Sequence, residues 1–98
     1  MGAYKISELW DEDIVHIYEY AIEKFGLNKA KKYIFGLHEF FESIAIQNFI
    51  GTDASKLIPE LRRLTFKSHM IFYFTINYGA FIVRVLHQSM DYQRHLIK

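Results

Sequence analysis

Apolar residues in the first half of the chain recur at intervals of three and four residues, which is the spacing of one face of an α-helix. Two such stripes occur, and the short segment Gly26-Leu27-Asn28 separates them. The first stripe comprises Ile14, Ile17, Tyr18, Ala21, Ile22 and Phe25, and the second comprises Ala30, Tyr33, Ile34, Leu37, Phe40, Phe41 and Ile44. Because so short a connection makes consecutive helices fold back on each other, the pattern predicts a helical hairpin.

Local signals indicate where these two helices begin and end. Asp11-Glu12-Asp13 supplies the negative charge that a helix N-terminus favours, so we expect the first helix to begin there. Gly26 can end this helix in a left-handed cap, and Asn28 is a favourable residue immediately before the second helix. Upstream, the alternating run Tyr4-Lys5-Ile6-Ser7 predicts a first strand.

The last third of the chain changes from helical spacing to runs that are typical of β-strands. Residues 61–64, 69–74 and 81–87 form three such runs, with reversals expected at Lys67-Ser68 and Asn77-Tyr78-Gly79-Ala80. Breaks this short leave no room for a parallel crossover, so the three strands should pair as an antiparallel meander. The sequence therefore predicts an α+β fold of order β-α-α-β-β-β, with the helical hairpin packed on one face of a small antiparallel β-sheet.

Side-chain alternation along the last strand predicts which residues face the helices. Phe81, Val83, Val85 and His87 point one way, and Ile82, Arg84 and Leu86 point the other. If the hairpin covers the first set, Arg84 stands on the open face of the sheet.

Two apolar residues of the second helix fall outside its main stripe. Phe35 and Ile46 are eleven residues apart, or three helical turns, and therefore share a line along the helix that Glu39 and Glu42 interrupt. In one interpretation the N-terminal strand or the loop before Pro59 covers them. In the other they form a groove for an amphipathic segment of a partner.

Length and composition restrict the possible classes of function. The chain has 98 residues, the size of one domain, so we assign residues 1–98 to a single domain. The absence of cysteine excludes disulfides and thiolate zinc sites, and the five histidines show no paired spacing of metal ligands, so no metal or cofactor is predicted. Without a run of roughly 20 apolar residues or a basic segment leading into an apolar one, we expect a cytoplasmic protein that does not bind membranes.

Charge is divided unevenly along the chain, although the net charge is only +1. Residues 1–53 carry five Lys against nine Asp or Glu, which gives −4, whereas residues 54–98 carry seven Lys or Arg against two acidic residues, which gives +5. A basic second half favours an anionic partner, either nucleic acid or an acidic protein segment. The charge alone does not choose between them, and chance clustering on a solvated surface is the remaining interpretation.

Three segments of the C-terminal half resemble the ParE toxins of the RelE/ParE toxin–antitoxin superfamily. They are Pro59-Glu60-Leu61-Arg62, the strand Ser68-His69-Met70-Ile71-Phe72-Tyr73 and the motif Arg84-Val85-Leu86-His87-x-x-x-Asp91, and the predicted order of elements agrees as well. The resemblance implies a toxin that a cognate antitoxin neutralises. Members of the ParE branch are described as poisoning DNA gyrase, whereas their RelE relatives cut messenger RNA on the ribosome.

Individual residues bear on the choice between these two activities. An RNA-cleaving toxin needs acid–base groups and cations at the scissile phosphate, which Arg62, Arg84 and His87 could supply. RelE-type members, and many ParE relatives too, tend to place Lys or Arg after the histidine, where this chain has Gln88-Ser89-Met90. The loss of these cations weakens the assignment to RNA cleavage. The alternative for His87 is a structural role, hydrogen-bonded to Asp91. We therefore expect a non-enzymatic toxin without catalytic residues.

The resulting hypothesis is a toxin that binds and poisons DNA gyrase and that an acidic, amphipathic segment of its antitoxin holds inactive. A ribosome-dependent mRNA endonuclease and a degenerate member that only binds its antitoxin are the alternatives. No sequence-specific binding of nucleic acid is expected. The residues expected to contact the target are Arg62, Arg84, His87, Tyr92, Arg94 and His95, and those expected to contact the antitoxin are Phe35, Ile46, Arg63 and Lys67.

The C-terminal tail, residues 91–98, is too short to form a stable helix alone. We expect it to lie beside the open face of the sheet, where Tyr92, Arg94 and His95 are available to the target and contribute little to stability. In the alternative interpretation, Leu96 and Ile97 close the core.

Overall fold

The computed structural model describes residues 3–96. In chain order its elements are strand β1 (Ala3–Ile6), helices α1 (Trp10–Phe25) and α2 (Leu27–Ile46), strands β2 (Thr52–Asp53), β3 (Arg62–Phe66), β4 (His69–Ile76) and β5 (Gly79–His87), and the short helix α3 (Tyr92–Leu96). The strands form one sheet in the order β1-β5-β4-β3-β2. The α+β fold with a helical hairpin is confirmed, and β2 and α3 are additions to the predicted order.

Strand pairing is antiparallel throughout the sheet except at β1, which pairs with β5 in parallel. The predicted meander of β3, β4 and β5 is therefore confirmed, whereas a wholly antiparallel sheet is not observed. Gly79 allows the parallel pair to form, because a Cβ atom at this position would overlap the carbonyl oxygen of Ala3. β1 consequently covers the first half of β5 and leaves the second half to contact α1.

The helical hairpin turns at Gly26, whose φ of +89° is a conformation that other residues rarely adopt. Gly26 ends α1 and directly precedes α2, so Asn28 lies inside α2 rather than before it. The buried residues of α1 are Asp13, Ile17 and Ala21. The stripe that α1 buries is therefore rotated toward Asp13 from the predicted one. Neither hairpin helix, nor any other helix within residues 3–96, is long and apolar enough to cross a membrane.

Both faces of the sheet are covered. The hairpin packs on one face, where Leu37 and Phe41 meet Tyr73. On the other face, Phe72 and Leu86 belong to a second apolar cluster that residues 54–61 and α3 close. The prediction of an open face is therefore wrong, because both the loop before β3 and the C-terminal tail carry apolar side chains onto it.

A β-bulge in β5 changes the predicted side-chain alternation. Two consecutive residues of β4 pair with Arg84 and Ile82, so Val83 is the extra residue of the bulge. Ile82 and Val85 consequently both pack toward the hairpin, while Val83 packs in the cluster on the other face. The predicted orientations of Ile82 and Val83 are wrong for this reason.

Candidate functional site

Arg84, predicted to stand on an open face, is buried and paired with Asp13 of α1. Its Nε donates to both carboxylate oxygens of Asp13, at 3.2 and 2.9 Å, and its Nη2 donates to Oδ1 at 2.6 Å. The two side chains are 7% and 1% exposed. The prediction of a surface cation is therefore wrong, since the bulge in β5 and the buried stripe of α1 bring the two charges together inside the fold.

Further hydrogen bonds connect this ion pair to β5 and α3. Oδ2 of Asp13 also accepts the backbone N–H of Val85 at 3.0 Å, and Nη1 of Arg84 donates to the carbonyl oxygen of His95 at 3.1 Å. Hydrogen bonding to Asp13 raises the pKa of Arg84, against the opposing effect of burial. The guanidinium therefore stays charged, and the hydrogen bonds of the pair join three elements of the fold.

Asp13 is the partner that sequence reasoning missed, although the sequence contains a signal for it. Asp13 follows Trp10 by three residues and precedes Ile17 by four, so it shares a helix face with them. A carboxylate on an otherwise apolar stripe needs a buried partner. Asp11-Glu12-Asp13 indicates a helix start, and all three residues lie in the first turn of α1. Asp13 has a further role, because its carboxylate is buried and paired with Arg84.

Arg62 is likewise engaged inside the fold. Its Nη2 donates to the carbonyl oxygens of Phe49 at 3.0 Å and Gly51 at 2.5 Å, and its guanidinium lies 5.3 Å from the ring centroid of Phe49. Its Nε is buried without a partner among the described residues. Arg62 therefore holds the segment that follows α2, and the structure does not bring it together with Arg84, which binds α1 and α3.

His87 ends β5 and bonds to the following turn rather than to Asp91. Its Nδ1 accepts the backbone N–H of Ser89 at 3.1 Å and lies 2.7 Å from Oγ of the same residue. The Asp91 carboxylate instead accepts the backbone N–H of Gln93 at 3.1 Å. The structure thus gives His87 a local hydrogen-bonding role, with a different partner from the predicted one.

The ring of His87 contacts that of His69 on the neighbouring strand, with 5.3 Å between the ring centroids. His69 is buried, and its Nδ1 lies 2.7 Å from the hydroxyl oxygen of Tyr33. Burial, and secondarily the adjacent His87, lower the pKa of His69 from 6.5 to about 4. His69 is therefore neutral at pH 7.

These rings border a cleft of about 360 Å³ between α1 and the ends of β4 and β5, which we call the imidazole cleft. Among residues 3–96, no Lys or Arg lines it, and the one carboxylate that does is the one paired with Arg84. The cleft offers imidazole and phenol groups but no permanent cation that could hold a phosphate. Its lining residues are Asp13, His16, Ile17, Tyr20, His69, Val85, Leu86, His87, Ser89 and Met90.

The C-terminal tail forms α3 and packs on the second face of the sheet. The ring centroid of Tyr92 lies 5.1 Å from that of Phe72, its hydroxyl donates to the carbonyl oxygen of Gln88 at 3.2 Å, and Leu96 is half-buried in the same cluster. The expectation of a tail that packs little is therefore wrong, because the face that it covers is apolar. Ile97, expected to help close the core, lies outside the described residues.

A wider cleft of about 620 Å³ lies beside α3, and we call it the α3 cleft. Arg94 is exposed at this cleft and His95 is half-buried. Three of the residues predicted to contact the target therefore meet here, namely Arg84, Arg94 and His95, whereas Tyr92 packs on the sheet and His87 lines the imidazole cleft. The remaining walls of the α3 cleft are Leu9, Glu12, Asp91 and Leu96.

The two apolar residues predicted to contact an antitoxin are exposed. Phe35 is 74% exposed and Ile46 is 65% exposed, so neither β1 nor the loop before β3 covers them. Phe49 and Ile50, which follow α2 in the chain, are also exposed, at 70% and 48%. Sequence reasoning missed this pair because it searched only for residues at helical spacing.

The two basic residues predicted to contact the antitoxin lie on β3 and in the turn that follows it. Arg63 is half-buried on β3. Lys67 is exposed in the turn after β3, where its Nζ lies 5.3 Å from the ring centroid of Tyr33. The structure therefore does not gather the four residues into one site, and only a partner that extends from α2 to the β3–β4 turn would contact them together.

The described part of the chain shows no arrangement of three or more His, Asp or Glu side chains that could hold a metal ion. Two of the three histidines that line the imidazole cleft, His69 and His87, contact Tyr33, Tyr20 and Ser89, whereas His16 is exposed. The site therefore combines a buried hydrogen bond between Tyr33 and His69 with exposed ones between His87 and Ser89 and with aromatic contacts.

Stability should rise with pH between about 4 and 6.5, because the unfolded chain binds a proton at His69 in this range and the folded chain does not. The contribution of His69 is therefore complete above pH 6.5 and is lost as the pH falls toward 4, at a cost of roughly 2 to 3 kcal/mol. Urea unfolding at several pH values in this range measures the change in the free energy of unfolding. His69→Gln should flatten the dependence, and an unchanged slope in that variant would contradict the assignment.

Comparison with known proteins adds relatives at the level of sequence. The sequence profile of the family described as "ParE toxin of type II toxin-antitoxin system, parDE" matches residues 4–92. A protein named Toxin ParE1 from Caulobacter vibrioides is 32% identical over 96 residues, which cover 98% of this chain and 99% of that protein. Toxin ParE1 from Mycobacterium tuberculosis is 30% identical over 94 residues, which cover 95% of this chain and 96% of that protein.

The fold is also similar to that of a solved structure. The structure named "Chromosomal ParDE TA system from P. aeruginosa" superposes with a TM-score of 0.72 at 20% sequence identity, over 89% of this chain and 96% of that chain. This likeness supports the fold, while the profile match across most of the chain shows the family. The chain belongs to the ParE toxin family of type II toxin–antitoxin systems.

Proposed function

We propose that this protein is the toxin of a type II toxin–antitoxin pair, that it acts by binding and poisoning DNA gyrase, and that a cognate antitoxin neutralises it. Membership of the ParE family supports the role of toxin, and the resemblance to the ParE branch implies gyrase as the target. This mode of action requires neither a catalytic residue nor a cofactor. It places the protein in the cytoplasm, where its target acts.

One observation carries the choice of binding over RNA cleavage: the guanidinium groups that a nuclease would need are already engaged. Arg84 is held by Asp13 and by the carbonyl of His95. Arg62 is held by two carbonyl oxygens after α2. Cleavage of a phosphodiester calls for free donors at the developing charge, and no Lys or Arg of the described part of the chain lines the imidazole cleft to provide them.

The α3 cleft is the surface that best fits a contact with gyrase. Arg94 is exposed there and has no carboxylate within 4.0 Å among the described residues, so its charge is available to a partner. The hydrogen bond from Arg84 to the His95 carbonyl fixes α3 on the body of the protein. Arginine on a rigid surface is a frequent centre of binding energy in protein interfaces.

Purified protein added to DNA gyrase should stop the supercoiling of relaxed plasmid and cause linear DNA to accumulate, as expected when a poison traps cleaved strands. Antitoxin added beforehand should restore supercoiling. Arg94→Glu should weaken inhibition at least about 10-fold, because it replaces an attractive contact with a repulsive one.

Lys24→Glu provides the matched control for this charge reversal. Lys24 is exposed in the last turn of α1, away from the α3 cleft, so its reversal should leave inhibition unchanged. The proposal fails if an excess of folded protein leaves supercoiling unaffected.

The proposed contact with the antitoxin begins at the exposed apolar residues of α2. Large apolar side chains with so high an exposure are candidate contacts for an amphipathic segment of a partner. Such a segment binds either as a helix against an apolar groove or as an extended chain that wraps around the protein. Acidic residues of the same segment would meet Lys67 in the β3–β4 turn. The proposed antitoxin segment is therefore apolar where it crosses Phe35 and acidic where it reaches the turn.

Association with the antitoxin should slow as salt is raised, because the attraction between a basic surface and an acidic segment is screened. An association rate that does not change with salt would show that charge does not contribute to binding.

Phe35→Ser should weaken the complex at least about 10-fold without lowering the Tm, since the side chain is 74% exposed. Val15→Ser, which alters a 53% exposed side chain of α1, is the control.

A further inference from the structure

A third cleft, of about 420 Å³, lies where the end of α1, the start of α2 and the β3–β4 turn meet. Three lysines and two aromatic rings line it: Phe25, Lys29, Lys32, Tyr33 and Lys67. We call it the lysine cleft. It shares no lining residue with the imidazole cleft or with the α3 cleft.

None of the three lysines pairs with an acidic side chain of the described residues. Within residues 3–96 the single ion pair joins Arg84 and Asp13, so no described carboxylate lies within 4.0 Å of Lys29, Lys32 or Lys67. Lys67 is positioned by the turn, where its φ is +52°, and its ammonium group lies near the rings of Tyr33 and Phe66. Three like charges around one cleft repel each other, and a bound anion would relieve that repulsion.

The aromatic wall of the lysine cleft suits a planar group. Phe25 is 43% exposed, and its ring lies nearly parallel to that of Tyr33, at 23° and with 6.1 Å between centroids. Tyr33 is buried behind it, with its hydroxyl 2.7 Å from Nδ1 of His69, so the wall is rigid. Stacking of a base on an aromatic ring is a major source of affinity for single nucleotides and single strands.

We propose that the lysine cleft binds a phosphorylated nucleoside, with the phosphate held by the three lysines and the base stacked on Phe25. The volume of about 420 Å³ lies within the usual range of small-ligand sites. An acidic peptide would satisfy the charges but would leave the aromatic wall unused, so the nucleotide accounts for both features. A free mononucleotide and one nucleotide of a single strand both carry a phosphate and a base, so both fit these two features.

Binding is measured by calorimetry with three probes at constant ionic strength: inorganic phosphate, AMP and a hexathymidylate strand. AMP or the strand should bind more tightly than phosphate, and the tighter of the two identifies the source of the ligand. Combining Lys29→Gln, Lys32→Gln and Lys67→Gln should lower the affinity at least about 10-fold. Phe25→Leu should reduce the affinity for AMP to that for phosphate.

Lys31→Gln is the matched control, because Lys31 is an exposed lysine of α2 that does not line the cleft. It should change the affinity less than about twofold. The triple variant replaces exposed side chains, so its circular dichroism spectrum and its melt without ligand should match those of the parent. The proposal is overturned if neither nucleotide probe binds more tightly than phosphate, if the triple variant retains affinity, or if Lys31→Gln loses as much as the triple variant.

Discussion

Replacing Asp13 with alanine should lower the free energy of unfolding by about 3 to 5 kcal/mol, the usual cost of removing one partner of a buried ion pair. The carboxylate accepts three hydrogen bonds from Arg84 and one from the backbone N–H of Val85. Its loss leaves a guanidinium that is 7% exposed without its counter-charge. Urea or thermal unfolding of the variant measures the effect.

Two further variants show whether the cost belongs to the ion pair. Asp11→Ala removes an exposed carboxylate from the same helix turn and should change stability by less than about 0.5 kcal/mol. Combining Asp13→Ala with Arg84→Met removes both charges and should recover much of the lost stability, because no unpaired charge remains inside. A loss below about 1 kcal/mol in Asp13→Ala alone would show that the pair is not buried as described.

Deleting residues 92–98 should destabilise the protein by about 3 to 5 kcal/mol. Tyr92 and Leu96 cover the second apolar cluster of the sheet, and the deletion also removes the His95 carbonyl that accepts a hydrogen bond from Arg84. A loss of this size would differ from the expectation that the tail packs little and only contacts the target. The melting curve of the truncated chain measures the loss directly.

Arg94→Ala separates the packing of the tail from its proposed contact with gyrase. Arg94 is exposed, so its truncation should leave the melt unchanged and still weaken gyrase poisoning. If the chain lacking residues 92–98 keeps the parent melting temperature and loses toxicity, α3 does not close the core and only contacts the target.

The helical hairpin and the antiparallel meander could be predicted because each depends on local signals. Periods of three to four residues mark the helices, and short polar breaks between β-rich runs require antiparallel neighbours. The parallel pairing of β1 with β5 could not be predicted in the same way, since it joins residues 3–6 to residues 79–82 across the whole chain. Only the glycine at position 79, which admits the close approach of Ala3, hints at it.

The location of Arg84 could not be read from simple alternation. Val83 is a β-branched apolar residue like Ile82 and Val85, so nothing in the strand pattern marks it as the extra residue of a bulge. The two-residue strand β2 and the five-residue helix α3 are likewise too short to give a periodic signal. Both depend on packing against the sheet, and α3 depends also on the hydrogen bond from Arg84.

The predicted site residues separate into two physical groups once their partners are known. Arg62 and Arg84 are held by hydrogen bonds within the fold, so substitution of either would reduce toxicity through stability. Arg94 and Phe35 are exposed, so substitution of either probes a contact with another molecule. Sequence alone does not separate the four, because it gives residue types but not their partners.

The claim that this toxin binds its target rather than cleaving RNA is tested most directly by the integrity of a reporter messenger RNA on translating ribosomes. The protein is added at a concentration that stops supercoiling by gyrase, and the message is mapped by primer extension. We predict full-length message throughout. Cleavage at defined sites that disappears in a folded His87→Ala variant would contradict the account and identify the protein as a nuclease.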